Sequence, residues 1–341
     1  MKRFFIFLSL VLTVMLAAAP AEVKVSSFAP GKDDATDAFN AAIASGAKRV
    51  IVDNVGFDYI IRPVILRSDL ELVFMDKVVV RAKRGEFHGQ GDSLFKATDA
   101  RNITIRGEGN VVLEMNKSDY QDSSKYSWSE WRMCLNFRGC ENVVIRDLTL
   151  KSSGGDGIYI GAHKNPGCKN VLIENVICDN HHRQGISVIS VDKMVIRNSK
   201  FINTSGTPPA CGVDFEPNGS RNFICDVLVE NCEFSTNTAS GIFFHLLPLD
   251  EKNSRPVSAV IRNCRVFNNK GSGFAANIGR VKGEITVDNC IFSGNSNAVS
   301  LKRMAGNLKL NIENSTFESN GNDFNILCDM PFDSGNIHFL E

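Results

Sequence analysis

The chain has no surplus of charge. Lysine plus arginine total 38 and aspartate plus glutamate total 38, so no global field draws it to nucleic acid or an acidic surface. It is poor in tryptophan and tyrosine, with two and four residues, and both tryptophans fall in one stretch. Helical periodicity is absent from most of the chain. No apolar run is long enough to span a bilayer, the run over residues 4–16 included.

That run has a different reading. Lys2 and Arg3 precede it, and Ala19-Pro20-Ala21 follows as a small-residue cleavage site. The pattern predicts a secretory signal peptide over 1–21, a mature chain starting near Glu22, and a secreted or periplasmic protein. No cysteine follows Ala21 closely, which speaks against a lipid anchor. No membrane anchor is expected. Ten cysteines in an exported protein suggest disulfides, but their positions argue otherwise.

Seven segments share an apolar residue, a charged residue, then Asn or Asp: they end at Asp147, Asn175, Asn198, Asn231, Asn263, Asn289 and Asn314. Successive positions differ by 28, 23, 33, 32, 26 and 25 residues. A drifting period in the twenties with alternating β-branched residues predicts the coils of a parallel β-helix. Earlier copies around Leu72-Val73-Phe74 and Ile103-Thr104-Ile105 extend the stack towards the N-terminus.

Fixed columns follow. One residue after the Asn or Asp stand Leu148, Val176, Ser199, Cys232, Cys264, Cys290 and Ser315; three after it stand Leu150, Cys178, Phe201, Phe234, Val266, Phe292 and Phe317. Residues two apart on a strand share a face, so both columns point inward. Cys232, Cys264 and Cys290 are then small core residues, neither disulfides nor metal ligands. A further column, Asn180, Asn203, Asn237, Asn268, Asn295 and Asn320, is read as one structural turn ladder.

A β-helix leaves open sheet edges. Residues 22–50 are expected to cap the first coil through a short helix, started by Asp33 or Asp34, with Ala35, Ala38, Phe39, Ala42 and Ile43 on its apolar face and Gly46 at its end. Residues 321–341 are expected to cover the other end, giving one β-helix domain over 22–341. The stretch Asp-Asp-Ala-Thr-Asp-Ala-Phe-Asn-Ala-Ala-Ile from Asp33, followed by coils, resembles the pectate-lyase-like superfamily. The resemblance covers nearly the whole mature chain and implies an all-β, right-handed, single-stranded parallel β-helix. It says little of chemistry, because that fold hosts hydrolases, lyases, epimerases and binders.

Candidate chemistry lies on the strands after each turn. Ile158, Ile186, Val213 and Ile242 align as inward residues, which places Tyr159, Ser187, Asp214 and Phe243 on the outer side of neighbouring rungs, with Glu216 and His245 two residues further. Asp156 precedes its strand, and His182 and Arg183 occupy the equivalent turn one coil later. The expectation is an exterior patch. Asp214, Glu216 and Asp156 are the candidate catalytic carboxylates, since paired carboxylates serve as acid and base around a glycosidic bond. Arg183, His182, His245 and Tyr159 are candidate substrate-binding residues, joined by Asn136 and Arg138 on the neighbouring strand.

From Gly107 to Asp147 is 40 residues, longer than a normal coil. The excess holds Tyr120, Tyr126, Trp128 and Trp131. Trp128 and Trp131 are candidates for stacking on sugars, with simple packing of the loop as the alternative. Asp156-Gly157 after the strand ending at Leu150 resembles the first acidic strand of the polygalacturonase family. That family's hydrolysis by inversion is carried over no further than Asp156: Gly154-Gly155 replaces its Asn-Thr, Arg183-Gln184 its paired Asp, and its Gly-His-Gly and Arg-Ile-Lys motifs are absent.

Three functions are in play. The first is a glycoside hydrolase on a polysaccharide or oligosaccharide, with no metal or cofactor. The second is a polysaccharide lyase or uronate epimerase, where Arg183 with Tyr159 or His182 acts and Asp214 with Glu216 can hold Ca²⁺. The third is a non-catalytic glycan-binding surface protein. A capped β-helix is expected to be a monomer.

Overall fold

A computed structural model describes residues 20–304, 307–327 and 337–340; most of the expected signal peptide and part of the expected C-terminal cap lie outside them. The chain winds as a right-handed parallel β-helix. Ten parallel strands form one face, from Val64–Ile65 through Phe95–Thr98, Leu135–Arg138, Ile158–Gly161, Ile186–Val188, Val213–Phe215 and Ile242–His245 to Asn322–Leu327. The other faces make a single twenty-stranded ladder, bent along a file of left-handed residues. Among the described residues no helix is long and apolar enough to cross a membrane.

The bend explains the repeat. Asp147, Asn175, Asn198, Asn231, Asn263, Asn289 and Asn314 all have φ between 48° and 59°, a region Asn and Asp tolerate better than other chiral residues. The residue two before each of them pairs in register, as Ile145↔Ile173, Ile173↔Ile196, Ile196↔Val229 and Val229↔Ile261. The two inward columns are buried, and Phe201 stacks on Phe234 at 5.2 Å and 11°. The nine described cysteines are free and buried.

The asparagine turn ladder is two ladders, not one. Asn180, Asn203 and Asn268 hold left-handed φ values, but Thr236, Gly294 and Ser319 take that place on the other rungs. Asn237, Asn295 and Asn320 sit one residue later with Asn269, in a file where each amide donates to the next: Asn237 to Asn269 at 2.9 Å, Asn269 to Asn295 at 2.9 Å and Asn295 to Asn320 at 3.2 Å. The same amides donate to buried carbonyls such as Phe201 O. Consecutive asparagines at 268 and 269 hide this one-residue offset in the sequence.

Thr36–Ala44 is the helix that covers the first coil. Ala38, Phe39, Ala42 and Ile43 join the core, and the Phe39 ring meets Tyr59 edge-on at 5.4 Å. Asp34 accepts from the Thr36 N–H at 3.0 Å and pairs with Arg62 and Lys83, which holds its carboxyl well below the usual range against the opposing cost of burial. Gly46 follows at φ 80°. At the far end, Ile337–Leu340 adds a parallel strand to Ser315–Glu318.

Candidate active site

The ten-stranded face carries the site, and the expected register holds there. Ile158 pairs with Ile186, Ile186 with Val213, and Val213 with Ile242, so Tyr159, Ser187, Asp214 and Phe243 form one outer row. The patch is not an open exterior, however. Asp156 and Asp214 are both 0% exposed: Gln184 of the preceding turn lies against Asp214, and Arg183 of the following turn lies beside Asp156. Gln184 Nε2 donates to Asp214 Oδ2 at 2.9 Å, while Asp214 Oδ1 and both Asp156 oxygens make no hydrogen bond.

Arg183 organises what lies above. Its backbone N–H donates to Gly155 O at 3.1 Å, which fixes the turn. Its guanidinium donates to Glu216 Oε2 at 2.7 Å and Ser187 Oγ at 3.2 Å, and lies 3.7 Å from both Glu130 Oε1 and Asp156 Oδ1. One guanidinium touching both Glu130 and Glu216 limits the separation of those oxygens to about 9 Å.

Burial sets the protonation of the hidden acids. It pushes Asp156 up to about 7 against the pull of Arg183. Burial, with the charge of Glu216 adding to it, pushes Asp214 well above the carboxylate range. Burial also raises the Tyr159 phenol. Arg183 pays a burial cost too, but Asp156, Glu216 and Glu130 together hold it more firmly protonated than usual.

A pocket of about 490 Å³ opens over this guanidinium, lined by Glu130, Trp131, Arg138, Tyr159, Arg183 and Glu216 among others. Arg138 lies over the Tyr159 ring at 4.5 Å, a cation–π contact between two residues of the pocket wall. Asn136 is buried beneath, donating to Ser93 Oγ at 3.1 Å and accepting from Arg138 Nε at 3.2 Å. It positions Arg138 and does not face the pocket.

Three other expected binding residues stand off the pocket wall. The His182 ring turns away to Thr207 Oγ1 at 2.9 Å. His245 packs against Phe243, ring to ring at 5.8 Å. Trp128 is 63% exposed beside Trp131, which is 40% exposed, with their rings edge to face at 6.3 Å. Trp131 lines the pocket and Trp128 does not.

The long loop has its own core, which the expectation for its aromatics divides. Tyr120 and Tyr126 are buried around Arg132, whose guanidinium lies 5.6 and 5.4 Å from the two rings and donates to Phe87 O at 2.7 Å. This packing presents Glu130 and Trp131 to the pocket. Gly154 and Gly155 permit it: a Cβ on Gly154 would meet the Tyr120 ring at 2.5 Å, and one on Gly155 would meet Glu130 O at 2.5 Å. Glu130 is absent from the sequence-based candidates, and its signal was its place between the two tryptophans.

A family model described as "Right handed beta helix region" matches residues 102–248 and 134–317. The uncharacterized protein YclG of Bacillus subtilis is 24% identical over 192 residues, covering 52% of this chain and 32% of that protein, so this chain spans about a third of that relative's length. Among solved structures, endo-xylogalacturonan hydrolase from Aspergillus tubingensis aligns over 94% of this chain and 93% of its own, with TM-score 0.63 and 13% identity. PfbA, a surface adhesin of Streptococcus pneumoniae, aligns over 93% of each chain with TM-score 0.57 and 14% identity. These likenesses are likenesses of fold.

Proposed function

The chain belongs to the right-handed β-helix family, and from that premise we propose that it is an exported glycoside hydrolase acting on a polysaccharide or oligosaccharide. The observation that carries this reading is the Arg183 bridge between Glu130 and Glu216 on the pocket wall. Carboxyl groups roughly 5–9.5 Å apart can straddle a glycosidic bond, one protonating the leaving oxygen and the other serving the attacking water or the anomeric carbon. Glu216, held at 2.7 Å, takes the part of the base or nucleophile. Glu130, further from the guanidinium, takes the part of the acid. Trp131 and Tyr159 offer faces to a sugar ring.

Asp156 and Asp214, the first choices from sequence, are positioning groups in this reading, since neither reaches the pocket. They share their field with Arg183 and so set how much of its charge Glu216 receives. Export is supported by the charged, apolar and small-residue pattern of residues 1–21.

The lyase reading draws on Arg138 and Arg183 flanking Tyr159, where two cations could neutralise a sugar carboxylate while the phenol removes the C5 proton. Burial weighs against it by raising the Tyr159 phenol. The test is the mature protein on neutral and uronic polysaccharides, read for reducing ends and for ultraviolet-absorbing unsaturated product. Reducing ends alone, lost in Glu216→Gln and Glu130→Gln, support the hydrolase. Unsaturated product, above all if calcium-dependent, moves the assignment to a lyase. Binding without turnover leaves a glycan-binding protein.

A further inference from the structure

A second cleft of about 700 Å³ lies at the turn that carries Asn180, around the coil from the pocket above. Its walls include Arg84, Lys117, Gln121, Ser152, Asn180 and Ser205. The charges on these walls are unevenly balanced. Arg81 pairs with Asp58 and Glu114, and Arg84 with Asp119 at 3.4 Å. Lys117 makes no ion pair among the described residues. Its ammonium is held by three neutral acceptors: Asn180 Oδ1 at 2.9 Å, His181 O at 3.1 Å and Ser205 Oγ at 2.9 Å. The nearby Asp179 is already engaged by Lys151 and Asn203.

The three acceptors saturate the ammonium's N–H groups but bring no negative charge, so the half-buried cation keeps its charge unneutralised at the cleft wall, and burial lowers Lys117 to about 8 against the pull of Asp179. An anion docked beside it recovers part of that cost. The rest of the wall points to the kind of anion. It offers hydroxyls and amides, the partners of sugar hydroxyls, and Met115 is its one apolar lining residue, so no ring is present to stack a nucleobase.

We propose that this cleft is a second saccharide site, selective for a sugar bearing a carboxylate or sulfate ester, with Lys117 as counter-charge. The choice of a sugar rests on the hydrolase reading; the choice of an anion rests on Lys117.

The test uses the mature chain carrying Glu130→Gln and Glu216→Gln, so that turnover cannot consume the probe. Hydrogen exchange over residues 116–121 is followed with a uronic tetrasaccharide, a sulfated tetrasaccharide, a neutral tetrasaccharide and inorganic sulfate. Either acidic tetrasaccharide should slow exchange there, and the two arms separate carboxylate from sulfate ester. Gln121→Glu, an exposed change that leaves the Lys117 contacts intact, should weaken that binding about tenfold, roughly 1.4 kcal/mol, and Lys117→Met should abolish it. Equal protection by the neutral tetrasaccharide, or none by either acidic one, overturns the proposal. Inorganic sulfate binding as tightly as the sugars overturns the saccharide class. Acidic protection here in a parent chain that turns over no polysaccharide upholds this site and sinks the hydrolase reading instead.

Discussion

Arg183 and Glu216 lie 33 residues apart in sequence and meet at 2.7 Å on adjacent rungs of the ten-stranded face. The pair joins a turn to a strand, and it brings the loop acid Glu130 and the buried acid Asp156 under one guanidinium.

Arg183→Lys should therefore keep the charge and lose the bridge. Lysine cannot span Glu130 and Glu216 with a planar fork. Turnover should fall about 100-fold, with folding stability changed by about 1 kcal/mol. Arg183→Met removes the charge from three acids and should destabilise by about 3 kcal/mol. Denaturant unfolding beside steady-state kinetics checks both.

Asp156→Asn should act on stability through pH. A carboxyl raised to about 7 in the folded state binds its proton more tightly folded than unfolded. Its contribution is fully present below the unfolded value near 4 and is lost as pH rises through 7. The variant should escape that loss, gaining on the parent by about 2–4 kcal/mol between pH 4 and 8. Parallel unfolding curves across that range would show the gap widening upward; a gap that widens downward would contradict the raised value.

Gly155→Ala tests the loop rather than the acids. Its Cβ would meet Glu130 O at 2.5 Å and Arg132 N at 2.8 Å, so the segment bearing Glu130 and Trp131 must shift. Activity should fall at least tenfold, since a displacement near 1 Å is costly at a reacting centre. The melting temperature should drop only a few degrees. Unchanged kcat/KM would remove Glu130 from the site.

Trp131→Ala should raise KM about tenfold by removing a stacking face from the pocket. Trp128→Ala, on the exposed side of that pair, should change KM less than threefold. Equal effects of the two would mean that both rings contact substrate.

The coils were legible because each rung repeats the same demands: an apolar residue inward at every second position and a left-handed residue at every bend. Ile145, Ile173 and Ile196 announce one ladder in sequence as plainly as they pair in space. The candidate site was legible only in part. Alternation told which side of the strand Asp214 occupies, but its burial depends on Gln184 and the turns above it, which obey no period. His182 was placed by its neighbour Arg183, yet adjacent turn residues point apart. Glu130 belongs to a non-repeating loop whose position is set by Tyr120, Arg132 and Gly155, contacts that no spacing encodes.

That loop leaves the ladder after Glu114 and returns at Leu135, where Leu135 pairs with Phe95 below it and Ile158 above. The detour adds no step to the stack. A segment of different length could be grafted between those residues without shifting a single register below or above. Exchange of this one segment would replace an acid and an aromatic wall while leaving the Arg183–Glu216 pair in place, so specificity can be redesigned here by transplant, provided the new segment refills the space that Tyr120 and Arg132 occupy against Phe87 and Gly154.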